Sequence, residues 1–471
     1  MKALPVIGRL LLLFSAAFTL PIVVAVYYGE DIKPFAAAAA ASLAIGSLSL
    51  VSKTSLEDLR FRDAFAFVAL SWLAVSFVGS LPYVLYGVSP VDAFFESISG
   101  FTTTGASVLT PEELPKSLLF WRSMTQWLGG MGIIVLFLAV FPSFAKKAPI
   151  VFQAEYPGVT LEKLKPRIKD TALLLYGVYA LLSAVEILLL LSLGVDTFDA
   201  VVHTFSTIST GGFSSHSESV AYFDDVRVEA VVAFFAFLGG TNFALIYFLL
   251  RGNARILRDA EFRAYVAVLL TAILLLTLAN LRLGLSESLR YSAFQAVSIM
   301  TTTGFTTCDF DAWNDSARFV LLILMFVGGC SGSTAGGIKV IRIYLLLRYS
   351  IQRILKAAEP RTVRVVKYGE KTLSSDVLEN VSAFFVLYIL IFVVSSLLIA
   401  LSGYDILTSI SATAATLGNV GPGMGLAGAA ENYASFPVHV KVLLCMNMWV
   451  GRLEIFTVLA LFIPSFWKES W

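Results

Sequence analysis

Long apolar segments alternate with short polar segments along the whole chain. Apolar runs of about 18 residues or more, the length that crosses a bilayer as a helix, recur from the N-terminus to the C-terminus. The first two predicted helices are about Leu4–Tyr28 and Pro34–Val51. After them one pattern occurs four times: a long apolar helix, a short amphipathic helix, a segment rich in threonine and glycine, a polar loop and a second long helix. The pattern predicts an all-α membrane protein with internal repeats.

The repeats divide the chain into five parts. Two N-terminal transmembrane helices occupy residues 1–55, and the four repeats occupy residues 56–142, 143–250, 251–350 and 351–471. The short helices, too brief to cross a bilayer, are predicted at Pro90–Gly100, Thr197–Ser209, Ser286–Met300 and Tyr404–Thr416. The second long helix of each repeat is predicted at Leu118–Phe141, Val228–Leu250, Ala317–Tyr349 and Pro437–Phe466.

Each short helix is followed by a four-residue segment, called a station below. The stations are Thr102–Gly105, Thr210–Phe213, Thr302–Phe305 and Asn419–Pro422. Their aligned glycines, separated by 107, 92 and 117 residues, are Gly105, Gly212, Gly304 and Gly421. A second motif, an aromatic residue followed by an apolar residue and glycine, lies 24 to 30 residues after each of these glycines. Two phased markers at a spacing of about 100 residues indicate a true repeat.

Composition and loop charges give the class of protein and its orientation. The chain is 57% hydrophobic and 14% charged, whereas a soluble domain carries about 25% charged residues. Lysine and arginine cluster in the connectors between repeats, within residues 143–170, 251–263 and 339–371. Such basic connectors are typically cytoplasmic, so every repeat begins and ends on the same side. Parallel repeats can close as a ring around an axis along the membrane normal, whereas inverted repeats suit rocking transporters.

The stations carry the chemistry of an ion pore. If each short helix enters from outside and turns back, its return strand is non-helical backbone at membrane depth, which must be buried or face water. Four such strands that meet at an axis can point their carbonyl oxygens at a cation and replace its hydration shell. Glycine allows the positive φ that such a strand needs, and threonine adds a small hydroxyl. The alternative is that threonine and glycine only allow close helix packing.

A second feature predicts a gate. Residues 328–337 contain five glycines within a predicted membrane helix, a composition that disfavours helix. This backbone is expected to be buried or to line a cavity below the stations; the alternative is a static, tightly packed kink. Arg452 is predicted near the middle of the bilayer, where an arginine is costly and indicates function. Its alternative role is a structural pairing with a carboxylate or with loop carbonyls.

The polar loops after the stations are acidic, with nine acidic and three basic residues in all. Such a mouth would concentrate cations, although loops on the outer side are poor in lysine and arginine in any case. The three cysteines have neither pair spacing nor ligand spacing. Searches for catalytic motifs find none, so we expect no enzyme activity and no organic cofactor in this chain.

These residues resemble the Trk/Ktr/HKT superfamily of K⁺ transporters over about residues 56–466, and the two additional N-terminal helices resemble its TrkH/TrkG branch rather than KtrB. The family hallmark is one glycine per pore loop, which matches Gly105, Gly212, Gly304 and Gly421. Plant relatives that prefer Na⁺ carry serine at the first of these positions, so Gly105 implies K⁺. Two features depart from the pattern: the fourth station reads Asn-Val-Gly-Pro, and in the second station Gly211 competes with Gly212 for the alignment, which Phe213 decides for Gly212.

The resemblance implies K⁺ uptake across the cell membrane of a prokaryote through four parallel pore loops around a pseudo-fourfold axis. It implies a homodimer in the lipid bilayer that a cytosolic TrkA-type nucleotide-binding ring regulates, without nucleic acid. The runner-up is Na⁺- or H⁺-coupled K⁺ symport through the same filter. The implied filter residues are Thr103, Thr104, Gly105, Thr210, Gly211, Gly212, Thr302, Thr303, Gly304, Asn419, Val420 and Gly421. Among them K⁺ would bind at Thr103, Thr104, Thr210, Gly211, Thr302, Thr303, Asn419 and Val420. The implied gate is a movable loop with an arginine barrier, formed by Gly328, Gly329, Ser331, Gly332, Ser333, Thr334, Gly336, Gly337 and Arg452.

Overall fold

The computed structural model describes residues 3–49, 61–132, 168–359, 367–368, 371–373 and 375–467. These residues form helices connected by short loops and 3₁₀ turns. In chain order the α-helices are α1 (Ala3–Phe14), α2 (Thr19–Tyr28), α3 (Lys33–Leu48), α4 (Phe61–Leu85), α5 (Pro90–Phe101), α6 (Lys116–Gly130), α7 (Ile168–Ser192), α8 (Thr197–Ile208), α9 (Val226–Gly239), α10 (Phe243–Leu250), α11 (Ala260–Ala279), α12 (Leu285–Met300), α13 (Asp315–Val327), α14 (Val340–Ala358), α15 (Ser375–Leu401), α16 (Ile406–Leu417), α17 (Val438–Leu453), α18 (Ile455–Leu459) and α19 (Pro464–Trp467).

Five segments within the described residues are long and apolar enough to cross a membrane. They are Ala3–Tyr28, Phe65–Leu85, Thr171–Ser192, Ala260–Ala279 and Ser375–Leu401. Two bent pairs also satisfy the test together: α9 with α10, at 108°, and α17 with the segment that follows it, at 117°. The chain is therefore a multi-pass membrane protein. Regular strand in the described part is confined to one two-residue antiparallel pair, Lys367–Tyr368 with Lys371–Thr372, so the all-helical expectation is confirmed at that level.

Two of the predicted second long helices are wrong as continuous helices. Val228–Leu250 is broken between α9, which ends at Gly239, and α10, and the carbonyls of Gly239 and Gly240 accept hydrogen bonds from the N–H groups of Thr334 and Cys330. These bonds satisfy backbone groups that the helix would otherwise satisfy itself. Pro437–Phe466 is broken at Glu454, which has a φ of 66°.

The other two second long helices differ from each other. The segment Ala317–Tyr349 contains the interruption that its glycines predict, because α13 ends at Val327 and α14 begins at Val340. The segment Leu118–Phe141 is helical to Gly130, and its last part lies outside the described residues, as do most of the basic positions of the connector 143–170.

The four short helices α5, α8, α12 and α16 occur where the pattern predicts them. Each begins at a local signal: the side chains of Ser89, Asp196 and Asp405 accept a backbone N–H in the first turn of α5, α8 and α16, and Gly284 precedes α12. Each ends within two residues of its station. Most of their residues are buried against longer helices, with α4 packed on α5, α7 on α8, α11 on α12 and α15 on α16.

The N-terminal helices are tied to this framework. Glu30, in the turn after α2, accepts hydrogen bonds from the backbone N–H groups of Lys116 and Ser117 at 2.8 Å each. It thereby caps the N-terminus of α6 from a distant part of the chain, with its negative charge at the positive end of the helix. Behind this contact, Phe18 stacks on the buried Trp121, within the largest hydrophobic cluster.

Candidate functional site

The four stations share one backbone conformation. The residues Thr103, Thr210, Thr302 and Asn419 have φ of 53°, 54°, 57° and 53°. The glycine two positions later also has positive φ, between 77° and 101°, at Gly105, Gly212, Gly304 and Gly421. Positive φ is rare and strained for a β-branched residue such as threonine. The fourth station therefore has the conformation of the other three despite its different sequence, and Gly212 rather than Gly211 is the equivalent glycine.

The turn out of each short helix explains the first positive φ. In the first station the N–H of Thr103 bonds to the carbonyl of Gly100 at 3.0 Å, and the N–H of Thr104 bonds to the carbonyl of Ser99 at 2.9 Å. This pair of bonds is the Schellman helix ending, which requires a left-handed residue just past the helix. The same pair of bonds occurs at Thr210 and Gly211, at Thr302 and Thr303, and at Asn419 and Val420.

The stations meet one another in chain order and close a ring. A Cβ atom added to any of the four glycines would overlap the carbonyl oxygen of the residue before the glycine of a neighbouring station. The pairs are Gly105 with Gly211, Gly212 with Thr303, Gly304 with Val420, and Gly421 with Thr104. Each station therefore contacts the next, and the fourth contacts the first. Glycine is required here because the backbone has positive φ and because a side chain would overlap the carbonyl oxygen of the neighbouring station.

The carbonyl oxygens of this ring are buried and mostly without donors. Their residues are at most 1% exposed at Thr103, Thr104, Thr210, Thr302, Thr303, Asn419 and Val420. Within the described part of the chain, the carbonyls of these seven residues accept no hydrogen bond from the protein, whereas that of Gly211 accepts one from Gln126 Nε2 at 2.7 Å. Buried carbonyls usually have a partner, so a set of free ones around a ring indicates a site for a cation.

All four station glycines line one cavity of about 150 Å³. Its wall includes the loops that follow the stations, with Arg122, His216 and Glu431. The first residues of the stations are not in this wall. The ring thus has one face open to a polar cavity.

Three polar side chains that the sequence analysis did not single out hold the ring in place. Gln126 donates to the Gly211 carbonyl and accepts the N–H of Phe213 at 3.0 Å. Arg122 and Glu96 form a fully buried ion pair at 2.7 Å. Arg122 also donates to the Ser214 carbonyl and lies 4.3 Å from the centroid of the Phe213 ring. A glutamate within a predicted short membrane helix was the signal that could have identified this pair.

The fourth station is linked to the first by a side chain. Asn419 Nδ2 donates to Thr104 Oγ1 at 2.9 Å and to the Met448 carbonyl at 3.0 Å. Tyr433 donates to the Gly421 carbonyl at 2.8 Å. Asparagine thus gains a contact that threonine is too short to make, and it also tolerates positive φ better than threonine does.

The glycine-rich segment, residues 328–339, crosses the ring on the side of its first residues. Gly336 N–H donates to Thr302 Oγ1 at 2.7 Å, and Thr210 Oγ1 donates to Thr334 Oγ1 at 3.3 Å. A Cβ at Gly336 would overlap the Gly418 carbonyl, next to Asn419. The predicted gate positions lie together in this segment, buried or half-buried: Gly328, Gly329, Ser331, Gly332, Ser333, Thr334, Gly336 and Gly337.

Arg452 joins this segment to the C-terminal end of α6. Its guanidinium donates to the Thr334 carbonyl at 2.7 Å and to the carbonyls of Gly129 and Gly130 at 2.9 Å each. The pairing with loop carbonyls that the sequence allowed is therefore present. Beside it lies a second cavity of about 300 Å³, whose wall also contains Lys339 and the ion pair of Arg342 with Glu454, at 2.5 Å.

Several acidic residues of the polar loops have structural contacts. Asp225 caps α9 and pairs with Arg227, whose hydrogen bonds lower the pKa of Asp225 to about 2. Burial raises the pKa of Glu112, but bonds from the hydroxyl and N–H of Ser217 outweigh burial, so the net pKa is lowered. Asp311 pairs with Arg318 at 2.8 Å. No cluster of three histidine, cysteine or acidic side chains that could hold a metal ion occurs among the described residues.

Comparison with known proteins gives a consistent result. The family model TrkH, described as a cation transport protein, matches residues 31–469. The chain is 40% identical to the Trk system potassium uptake protein TrkH of Salmonella typhimurium over 98% of both chains, and 35% identical to TrkG of Escherichia coli over 98% of this chain and 97% of that one. It superposes on the crystal structure of the potassium transporter TrkH from Vibrio parahaemolyticus with a TM-score of 0.90, at 36% identity over 99% of both chains.

The ring predicts a graded cost of adding a methyl group to glycine. Gly87 and Gly304 both have positive φ, but a Cβ at Gly87 meets nothing within 4 Å, whereas a Cβ at Gly304 meets the Val420 carbonyl. We expect Gly87→Ala to cost about 1–2 kcal/mol of stability through φ alone, and Gly304→Ala about 1–3 kcal/mol more through overlap. Thermal unfolding of the two purified variants measures the difference. Equal melting temperatures would show that the stations are not in contact.

The buried ion pair predicts a second contrast. Arg122→Gln leaves the carboxylate of Glu96 buried without its partner, which is expected to cost about 3–5 kcal/mol. Arg227→Gln removes an arginine that is 71% exposed and whose pair is screened by solvent, so its cost is expected to be much smaller. Denaturation of both variants under the same conditions compares them. A similar, small loss of stability in both would rule out a tightly coupled pair at Glu96.

Proposed function

This chain belongs to the TrkH family of cation transport proteins, and from that premise we propose that it carries K⁺ into the cell through the ring of stations. It is a multi-pass membrane protein with bacterial relatives whose names state potassium uptake. The proposed pathway runs from the cavity lined by the station glycines, through the ring, to the cavity beside Arg452.

The observation that carries the proposal is the ring of buried carbonyls without protein donors. A K⁺ ion that enters it would exchange its hydration water for carbonyl dipoles, which need not move far because the Schellman turns fix them. The stations contain no carboxylate, so the ion would be held by partial charges and could leave again. The proposed filter consists of Thr103, Thr104, Gly105, Thr210, Gly211, Gly212, Thr302, Thr303, Gly304, Asn419, Val420 and Gly421.

The contacts of the ring also predict that its four sides are unequal. The Gly211 carbonyl already accepts a bond from Gln126, and Asn419 replaces threonine in the fourth station. Because of these two departures, fewer equivalent oxygen atoms surround the axis at the positions of Gly211 and Asn419. We therefore propose a filter with fewer strong K⁺ positions than a fully symmetric one would have.

The architecture that we propose follows the repeats. Two additional transmembrane helices, residues 1–55, precede four parallel helix–pore-loop–helix units in residues 56–142, 143–250, 251–350 and 351–471. The cyclic contacts of the stations support this arrangement, because four elements in chain order around one axis produce such a set of neighbours.

The glycine-rich segment and Arg452 are proposed as the gate. The segment lies against three stations, at Thr210, Thr302 and Asn419, and Arg452 holds it through the Thr334 carbonyl. In this arrangement backbone occupies the path, and a positive charge repels a cation beside it. Conduction would require the segment to move away. The absence of regular helix from residues 328–339 makes such a movement cheaper than the displacement of a packed helix.

Partners follow from the family and are proposed for this chain. The relatives are named as parts of a Trk system, which implies further components. We propose a homodimer in the cytoplasmic membrane, regulated by a TrkA-type ring that binds nucleotides and docks on the basic cytoplasmic surface. A docked partner could act on the gate through the buried contacts of the glycine-rich segment, such as the hydrogen bond that the Ser331 N–H donates to Glu261 at 2.6 Å.

The decisive experiment is flux through the purified full chain in liposomes, with Na⁺ and Rb⁺ as competitors and with and without its regulatory partner. A K⁺ conductance that reverses at the K⁺ equilibrium potential is expected. A reversal potential that shifts with Na⁺ or H⁺ would favour the coupled symporter instead. The proposal fails if the protein conducts no K⁺ in either condition.

Replacement of the gate arginine gives a separate prediction. Arg452→Ala removes the hydrogen bond to the Thr334 carbonyl and the positive charge. It is expected to raise flux in the absence of the partner by about tenfold, which corresponds to about 1.4 kcal/mol of repulsion. Arg452→Lys keeps the charge and is expected to raise it less. Arg227→Gln serves as a control for a lost arginine at the surface. A flux of Arg452→Ala equal to that of the unaltered chain would exclude this gate.

A further inference from the structure

A buried carboxyl without a partner lies behind the second station. Glu186 is the one acidic or basic residue in the sequence from Thr171 to Ser192, within the spanning helix α7. Its side chain is 0% exposed and shares the buried face of α7 with Tyr179 and Leu190. Neither carboxyl oxygen has a hydrogen-bond partner within the described residues. The buried carboxylates of Glu96, Glu229 and Glu261, also among the described residues, each have an ion-pair or hydrogen-bond partner, so this group needs an explanation.

The ionisable groups on the elements packed against Glu186 are engaged elsewhere. Those elements are α8, α9 and α10, together with Trp127 of α6, which contacts Ser183. On α8, His203 bonds to the Asp199 carbonyl and to Ser214 Oγ, and the Asp199 carboxylate bonds to Ser215. On α9, Glu229 pairs with Arg290 and Arg227 pairs with Asp225. On α10, Tyr247 lies beside Arg251. On α6, Lys116 lies over the ring of Tyr28 and Arg122 pairs with Glu96, and the remaining groups are Tyr176 and Tyr179 on α7 itself.

No cation therefore lies within salt-bridge distance of Glu186 among the described residues. An unpaired carboxylate in an apolar interior is costly enough that the group takes up a proton instead. Burying a charge is also costly within a membrane, where ionisable side chains are retained mainly when they have a function. Burial and the lack of a partner thus indicate that Glu186 is a neutral carboxylic acid.

The contact with α8 points in the same direction. The hydroxyl of Thr207 faces the Glu186 carboxyl but donates its single proton to the His203 carbonyl at 2.8 Å. That proton is therefore not available to an ionised Glu186 carboxylate, whereas a protonated carboxyl can donate to the hydroxyl. The carbonyl of Thr207 accepts the N–H of Thr210 at 2.9 Å. One residue thus connects the carboxyl to the first residue of the second station.

We propose that Glu186 is a proton-binding site whose protonation is coupled to cation occupancy of the second station. This inference rests on the proposed K⁺ pathway. A K⁺ ion in the ring attracts the ionised carboxyl and a proton on Glu186 removes that attraction, so each ion weakens the binding of the other by the same factor. Over a separation on the order of 10 Å at an effective dielectric constant of about 20, the factor is on the order of tenfold.

The first test detects the proton directly. Infrared spectra of the purified full chain in bilayers are compared for the unaltered protein, for Glu186→Gln, and for Glu379→Gln, which removes an exposed glutamate of α15. We expect the carbonyl absorption of a protonated carboxylic acid to be absent only from Glu186→Gln, and to weaken in the unaltered protein when K⁺ replaces a large organic cation. Thr207→Val, which removes the acceptor, should shift this absorption without removing it. Identical spectra for the unaltered protein and Glu186→Gln would overturn the proposal.

The second test measures coupling during transport. As the pH rises, the K⁺ concentration for half-maximal flux is expected to fall by about tenfold in the unaltered protein and in Glu379→Gln, and to stay constant in Glu186→Gln. Equal pH dependence in all three would also overturn the proposal. The infrared experiment needs no transport, so a chain that carries no K⁺ refutes the proposed function while the protonation of Glu186 is still decided.

Discussion

The structure depends on how non-helical backbone is accommodated at membrane depth. Lipid offers no hydrogen bonds, so every carbonyl that leaves a helix there must face another polar group or water. The chain leaves the helices α5, α8, α12 and α16 at neighbouring points. After each helix it passes through one left-handed residue and one glycine with positive φ. Within the described chain, seven of the eight carbonyls of the two residues before each of these glycines lack a protein donor, and we propose that a permeating K⁺ supplies the charge they lack.

Holding such a ring together requires strong contacts behind it. Arg122, paired with Glu96, and the amide of Gln126 connect α6 to the second station and the residue after it, and the amide of Asn419 connects the fourth station to the first. On the opposite side, the freed carbonyls of Gly239 and Gly240 bond to the glycine-rich segment. The backbone N–H groups of Cys330 and Thr334 thus satisfy carbonyls at the break in the helix, and movement of the proposed gate would leave both sides without these partners.

The sequence predicted the features that depend on period and composition. Apolar length predicted the spanning helices, and the glycine in each station predicted the positive φ found at Gly105, Gly212, Gly304 and Gly421. The bends at Gly240 and Glu454 were not predicted, because hydrophobic pattern does not report which carbonyls a distant segment will satisfy. Glu96 and Arg122 were missed for a similar reason: only the fold brings two charges that are 26 residues apart into contact. Arg452 was identified by its depth, whereas its acceptors, the carbonyls of Gly129, Gly130 and Thr334, required the structure.

The central claim is that the four stations surround one cation site. It is tested most directly by X-ray diffraction from crystals of the full chain in Rb⁺, with anomalous scattering used to locate the ion. The account predicts anomalous density inside the ring, between the carbonyl oxygens of Thr104, Gly211, Thr303 and Val420. Density confined to positions outside the ring, with none between these oxygens, would contradict it.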